Sequence, residues 1–350
     1  MDYNKDFVIL SFINTFVIRF VLNLKEEIIK LKNELDVTLV AHFYQRDEVF
    51  DLADITGDSL ELAKKAKATT SKYIVFCGVG FMGESVKVMS PEKTVLMPKI
   101  ACCAMARMID EGYYEQNLEV INKAGISNDD ILPITYINSS AAVKARVGKM
   151  GGMVCTSSNA YKIIEKGLKS GKKIFFVPDR CLGQNFAKSL NLKSAVVGDG
   201  SDLKEADIIC YNGFCSVHQQ FTVEDIEFYR EKFPDILIAV HPECDPKVCD
   251  ASDFVGSTSQ LITYIKELPI DQKIAVGTEF NMVSRLRTKN TYILSSTKPE
   301  CPTMNETTLQ DVYNTLKSIK DNDIKKETEI SVSEENIKYA RLALERMFEV

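Results

Sequence analysis

The segment His42–Ser59, HFYQRDEVFDLADITGDS, returns 199 residues later as His241–Thr258, HPECDPKVCDASDFVGST. Laid on one another without a gap, the copies match His42 with His241, Val49 with Val248, Asp51 with Asp250, Asp54 with Asp253, Gly57 with Gly256 and Ser59 with Thr258. A repeat of this kind constrains the chain more than its composition does. It predicts that one folding unit is used more than once, with equivalent residues at equivalent places. Chance turn chemistry would have to reproduce five offsets from the histidine, 7, 9, 12, 15 and 17.

The copies sit in a chain of short apolar runs: VTLVAHF, YIVFCGV, ILPITYIN, KIFFVPD, ILIAVHPEC and KIAVGTE, among others, alternate with helical stretches such as SLELAKKAKA and SQLITYIKEL. Nearly continuous apolar strands alternating with helices predict parallel sheets covered by helices on both faces. Between the copies lies a looser third version, TYINSSAAVKARVGKMGGMVCTSSNA, in which Tyr136 and Asn138 end one strand and Thr156, Ser157 and Ser158 the next. The expected architecture is therefore α/β, with three homologous three-layer units. Their approximate spans are 24–125, 126–215 and 216–310, with C-terminal helices over 311–350, one of which packs back on the first unit. A chain of 350 residues is long enough for several cores of that size.

An apolar extension precedes the units (1–23). Its core, FVILSFINTFVIRFVL, is 16 residues long and contains Asn14 and Arg19, short of the roughly 20 residues of a spanning helix. Neither a stable membrane association nor a secretory signal is expected; a helix packed on the protein, an overextended start and an interfacial segment stay open. A net charge of −6 argues against a nucleic-acid partner. Ten cysteines without a secretion signal suit a reducing cytoplasm, where cysteine clusters serve metals or catalysis and single cysteines often serve packing.

Three cysteines stand out because each falls late in one unit: Cys103 in KIACCAMARM, Cys215 in NGFCSVHQQF and Cys301 in KPECPTMNETTL. Spacing alone leaves open an iron–sulfur cluster, a zinc ion with His218 as a further ligand, and unbound thiols. A second constellation pairs His42 with Tyr44 and His241 with Glu243. Alternate residues at a strand end point the same way, so each pair can face one pocket and transfer protons. The Gly–Ser turns ahead of SLELAKKA and TSQLITYI offer helix N-termini to an anion, through Ser59, Thr258 and Ser157; an ordinary N-cap explains any one of them equally well.

Together, the ordered motifs VAHFYQRDEVFDLADITGDSL, GVGFMGESVK, YINSSAAVKA, CTSSNA, VPDRCLG, NGFCSVHQQF, VHPECDPKVCDASDFVGSTS, VGTEFNMVSRL and CPTMNETTL resemble the quinolinate synthase family over nearly the whole chain from Leu24. The resemblance implies three α/β domains in a pseudo-three-fold arrangement around a central [4Fe–4S] cluster. Cys103, Cys215 and Cys301 would hold it and leave one iron open as a Lewis acid. Cys103 is chosen over Cys102 because it immediately precedes the AMA segment. It further implies NAD biosynthesis, with iminoaspartate, supplied by L-aspartate oxidase or aspartate dehydrogenase, condensed with dihydroxyacetone phosphate to quinolinate, phosphate and two waters. His42, Ser59, Tyr136, Asn138, Ser157, His241, Glu243 and Thr258 would hold the substrate. Tyr44 and Glu243, with His42 and His241, would carry the acid–base steps.

The sequence departs from the family's pattern in the long stretch SLNLKSAVVGDGSDLKEAD, in Tyr211 where many members have Trp, and in the leader. Two rival readings share the three cysteines: a diphthamide-type radical enzyme that cleaves S-adenosylmethionine, and a non-catalytic iron–sulfur sensor. Both leave the paired HFY and HPE motifs without a task.

Overall fold

A computed structural model describes residues 21–349; of the apolar extension expected over 1–23, residues 1–20 lie outside the described residues and 21–23 belong to the first helix. Among the described residues no helix is long and apolar enough to cross a membrane.

Three separate sheets form, and every strand pair in them is parallel. The first holds β1 (Val37–His42), β2 (Ile55–Gly57), β3 (Tyr73–Cys77) and β4 (Thr94–Leu96) in the order β2-β1-β3-β4. The second holds β5 (Ile131–Tyr136), β6 (Met153–Cys155), β7 (Lys173–Val177), β8 (Ser194–Val196) and β9 (Ile208–Cys210) in the order β6-β5-β7-β9-β8. The third, β10 (Leu237–Val240), β11 (Phe254–Val255), β12 (Ile274–Gly277) and β13 (Thr291–Ile293), runs β11-β10-β12-β13 and repeats the first.

The sequence repeat is a structural repeat down to its register. Val40 opposes Ile55 and Ala41 opposes Thr56 in the first sheet; Ala239 opposes Phe254 and Val240 opposes Val255 in the third. Each pair shifts onto its counterpart by the same 199 residues. The matched aspartates explain part of this. Asp54 accepts the Leu39 N–H at 2.9 Å and Asp253 accepts the Ile238 N–H at 2.7 Å, so each acid ties its loop to the entry of the central strand. Their repetition therefore reflects structure, not chemistry at a pocket.

Helix 21–34 and helix Leu309–Lys320 cover one face of the first sheet, where Ile28 and Leu31 meet Leu39, Val75, Val312 and Leu316. The other face shares one core with the second sheet. The last helix, Glu334–Phe348, closes that core by packing chiefly on helix Ala141–Lys149 of the second unit, and also on Gly80–Met89 of the first. The third sheet has its own cores on its two faces, around Phe221, Ile238 and Val240 and around Leu261, Val276 and Met282. The mostly apolar strands are covered on both sides, and their carboxyl ends are free to carry polar groups.

Candidate active site

One local frame is built three times around the three late cysteines. The N–H of Gly80, the first residue of its helix, donates to the Ala101 carbonyl at 2.8 Å; Arg180 donates to Gly213 at 2.9 Å, and Phe280 to Pro299 at 2.9 Å. Each acceptor stands two residues before a cysteine: Cys103, Cys215 and Cys301. Each of these cysteines then accepts, through its own carbonyl, the N–H four residues on: from Arg107 at 3.1 Å, Gln219 at 3.1 Å and Asn305 at 3.2 Å. Six backbone bonds thus place the three thiols equivalently, and the frame selects Cys103 over its exposed neighbour Cys102.

The three thiols face a single pocket that is also lined by the nine residues expected to bind substrate or transfer protons. His42, Tyr44 and Ser59 enter from the first unit, Tyr136, Asn138 and Ser157 from the second, and His241, Glu243 and Thr258 from the third. All end a parallel strand, follow its carboxyl end or open the helix after it. The walls are completed by Asp58, Val79, Phe81, Met82, His218 and Met304, among others.

A hydrogen-bond chain crosses the pocket, centred on Glu243. Its carboxylate accepts from the Tyr136 hydroxyl at 2.7 Å and pairs with His218 Nδ1 at 3.0 Å. His218 Nε2 lies 3.0 Å from the Thr278 hydroxyl, which lies 3.2 Å from the Tyr44 hydroxyl; Tyr44 in turn meets Thr258 at 3.0 Å. A carboxylate is acceptor-only, so the tautomer that satisfies the chain has Nδ1–H donating to Glu243 and Nε2 accepting from Thr278. His241 stacks on His218 with ring centroids 4.5 Å apart.

The two repeated histidines share one arrangement. His42 Nδ1 accepts the Tyr44 N–H at 3.1 Å, and His241 Nδ1 accepts the Glu243 N–H at 3.3 Å. With Nδ1 used as an acceptor, each neutral ring carries its proton on Nε2. Burial keeps both neutral, pushing His42 down to about 4 and His241 to about 3. For Glu243, burial would favour the acid form, but the hydrogen bonds donated by His218 Nδ1–H and the Tyr136 hydroxyl stabilise the carboxylate and hold the group below its usual range. Burial raises the Tyr44 and Tyr136 phenols well above their ordinary value, so both stay protonated. It likewise pushes the Cys103 thiol up to about 12 and raises Cys215 and Cys301, so a metal at these sulfurs would displace their protons.

At the helix N-termini, Asp58 caps Ser59–Ala68: its Oδ1 accepts the Glu61 N–H at 3.0 Å, while Glu61 accepts the Asp58 N–H at 3.3 Å. Asp58 Oδ2 accepts from Ser158 at 3.0 Å and Ser259 at 2.6 Å, one serine from each of the other units. Ser257 caps Thr258–Glu267 with the same reciprocal pattern through Gln260.

Sequence reasoning missed Thr278 and Asp58 and read His218 only as a zinc ligand. Both nitrogens of His218 are engaged, although Cys215, His218 and Glu243 place ligand atoms within 4.8 Å of one another. A signal for His218 was present: it is one of only three histidines, and the other two are the repeated pair. Thr278 carried none beyond its place after β12. Tyr44 and Glu243, expected as the acid–base groups, share no direct hydrogen bond; Thr278 and His218 bridge them.

The fold and the pocket define an α/β enzyme of three similar units, with acid–base side chains and three thiols meeting at the strand ends. Comparison with known proteins agrees. Residues 26–349 match the family model described as "Quinolinate synthetase A protein". The chain is 54% identical over 334 residues to a quinolinate synthase of Helicobacter pylori (strain HPAG1), covering 94% of this chain and 98% of that one. It is 39% identical over 331 residues to one of Acidobacterium capsulatum, with 89% and 88% covered. A Streptomyces coelicolor quinolinate synthase is 38% identical over 332 residues, with 89% and 84% covered. The chain belongs to the quinolinate synthetase A protein family, and it is an enzyme of the quinolinate synthase type.

Proposed function

We propose that the pocket condenses iminoaspartate with dihydroxyacetone phosphate to give quinolinate, phosphate and two waters, within NAD biosynthesis and in a cytoplasmic setting. The observation that carries this reading is the convergence of three equivalently framed thiols with the Glu243-centred chain in one pocket. Cys103, Cys215 and Cys301 would hold a [4Fe–4S] cluster. Three soft sulfur donors suit such a cluster, and no fourth cysteine lines the pocket among the described residues, so one iron would stay open. When bound, the cluster supplies a Lewis acid that polarises a substrate oxygen or nitrogen.

The chain's own residues do the remaining work. The Nε2–H groups of His42 and His241 donate to substrate carboxylate or phosphate oxygens, as do Ser59, Ser157, Thr258 and Asn138. Glu243, ionised and bonded to Tyr136 and His218, takes the proton released in enediol formation and tautomerisation. Tyr44, protonated and joined to Glu243 through Thr278 and His218, returns a proton to the departing hydroxyl. The Glu243 chain would be idle in a sensor.

The test is anaerobic purification and reconstitution, with iron and acid-labile sulfide measured per chain and quinolinate assayed as product. About four of each with quinolinate formed, both lost in Cys215→Ser, is expected. One zinc per chain, or cluster-loaded protein that makes no quinolinate, overturns the reading.

A further inference from the structure

Lys144 is fully buried, four residues past the N-cap Ser140 of helix Ala141–Lys149, and it has no part in the chemistry above. A cation there opposes the helix dipole and gives up its hydration, so local rules disfavour it. Its ammonium donates to the Ile137 carbonyl at 2.8 Å and to the Ser139 carbonyl. These two residues flank Asn138. The same ammonium lies 5.4 Å from the ring centroid of Phe81, a wall of the pocket contributed by the first unit. Glu84, on the helix of Phe81, accepts the Ala141 N–H at 2.7 Å and sets a negative charge at the N-terminus that Lys144 follows. Burial pushes the ammonium down to about 7, and Glu84 opposes that shift.

Comparison of the three units shows what the lysine replaces. After β1 and β10 a histidine Nδ1 accepts the N–H two residues on and fixes the turn. The second unit has no histidine at its strand end; the Ser139 N–H closes on the Ile137 carbonyl at 2.8 Å, and Lys144 gathers both carbonyls from below.

We infer that Lys144 is a positioning residue that fixes the Ile137–Ser139 turn, so that Asn138 is aimed into the pocket, and that ties this turn to the first unit through Phe81. The inference rests on the reading of the pocket as the quinolinate-forming site. The experiment is calorimetric titration of quinolinate into cluster-loaded protein without oxygen. Wild type, Lys144→Met, Asn138→Ala and the double variant are compared, with iron content and Tm measured for each.

Lys144→Met is expected to weaken quinolinate binding about tenfold with iron retained, and the double variant to bind no more weakly than Asn138→Ala alone, because the two residues act through one turn. A lysine that serves folding alone would lower Tm and leave the Kd of the folded protein unchanged; that outcome, or additive losses in the double variant, overturns the inference. Should Lys144→Met fail to fold, Glu84→Gln offers a second test, since it keeps an acceptor for Ala141 and removes the charge opposite the lysine. A two- to fivefold weaker Kd, absent in the Asn138→Ala background, is expected, and an unchanged Kd overturns the inference. Wild-type protein that binds no quinolinate would bring down the functional reading and this inference together; wild-type binding with an indifferent Lys144 would bring down only the second.

Discussion

Replacing Glu243 by Gln keeps the size of the side chain and removes its charge. Glu243 is 3% exposed and holds two partners, Tyr136 at 2.7 Å and His218 at 3.0 Å. If the Gln carbonyl keeps Tyr136, its NH2 faces His218 Nδ1, which must then accept. The imidazole proton moves to Nε2 and Thr278 becomes an acceptor, so the chain toward Tyr44 reverses direction. The fold loses little, because two charge-assisted bonds become two neutral ones, a weakening of about 1 kcal/mol each, offset by no longer burying a charge. Catalysis loses the group that takes the proton, worth about 10²- to 10⁴-fold. The assay is quinolinate formation by anaerobic, cluster-loaded protein, with iron content and Tm as controls. A drop of more than a hundredfold in kcat with iron retained is expected. A drop of less than about fivefold would refute Glu243 as the proton carrier.

Cys103→Ser is expected to abolish cluster retention while Cys102→Ser retains it, read as iron per chain after desalting; the reverse would show that the backbone frame around Ala101 does not select the ligand. Stability should fall in acid. His42 and His241 are held at about 4 and about 3 in the fold against 6.5 in the unfolded chain, so the unfolded state binds more protons as pH falls. The stability they contribute is present above 6.5 and lost progressively toward pH 4 for His42 and pH 3 for His241, about 2 kcal/mol each by pH 5; Tm that stays flat from pH 7 to pH 5 would contradict the neutral, buried assignment. Gly148→Ala would place a Cβ 2.0 Å from the Tyr339 carbonyl oxygen, between helix Ala141–Lys149 and the last helix. It should cost about 1–3 kcal/mol, read as a lower Tm, and an unchanged Tm would mean that the last helix can move aside.

The sequence alone determined the class of fold, because a buried parallel sheet demands apolar runs and the repeat demands equivalent units; the short strands Ile55–Gly57 and Phe254–Val255, read in the sequence only as turns, and their pairing with Val37–His42 and Leu237–Val240 appear only in the structure. It also determined most of the pocket, since His42, Tyr44, His241, Glu243, Ser59 and Thr258 sit at strand ends and helix starts that local patterning marks. Tertiary structure alone decided how these groups are wired. Thr278 and His218 join Tyr44 to Glu243 across separations of 234, 60 and 25 residues, Asp58 gathers serines from two other units, and Lys144 supports a turn from beneath it. Periodicity and capping act over a few neighbouring residues and leave their mark in sequence; a hydrogen bond between distant strand ends depends on how three sheets pack, and no local pattern records that.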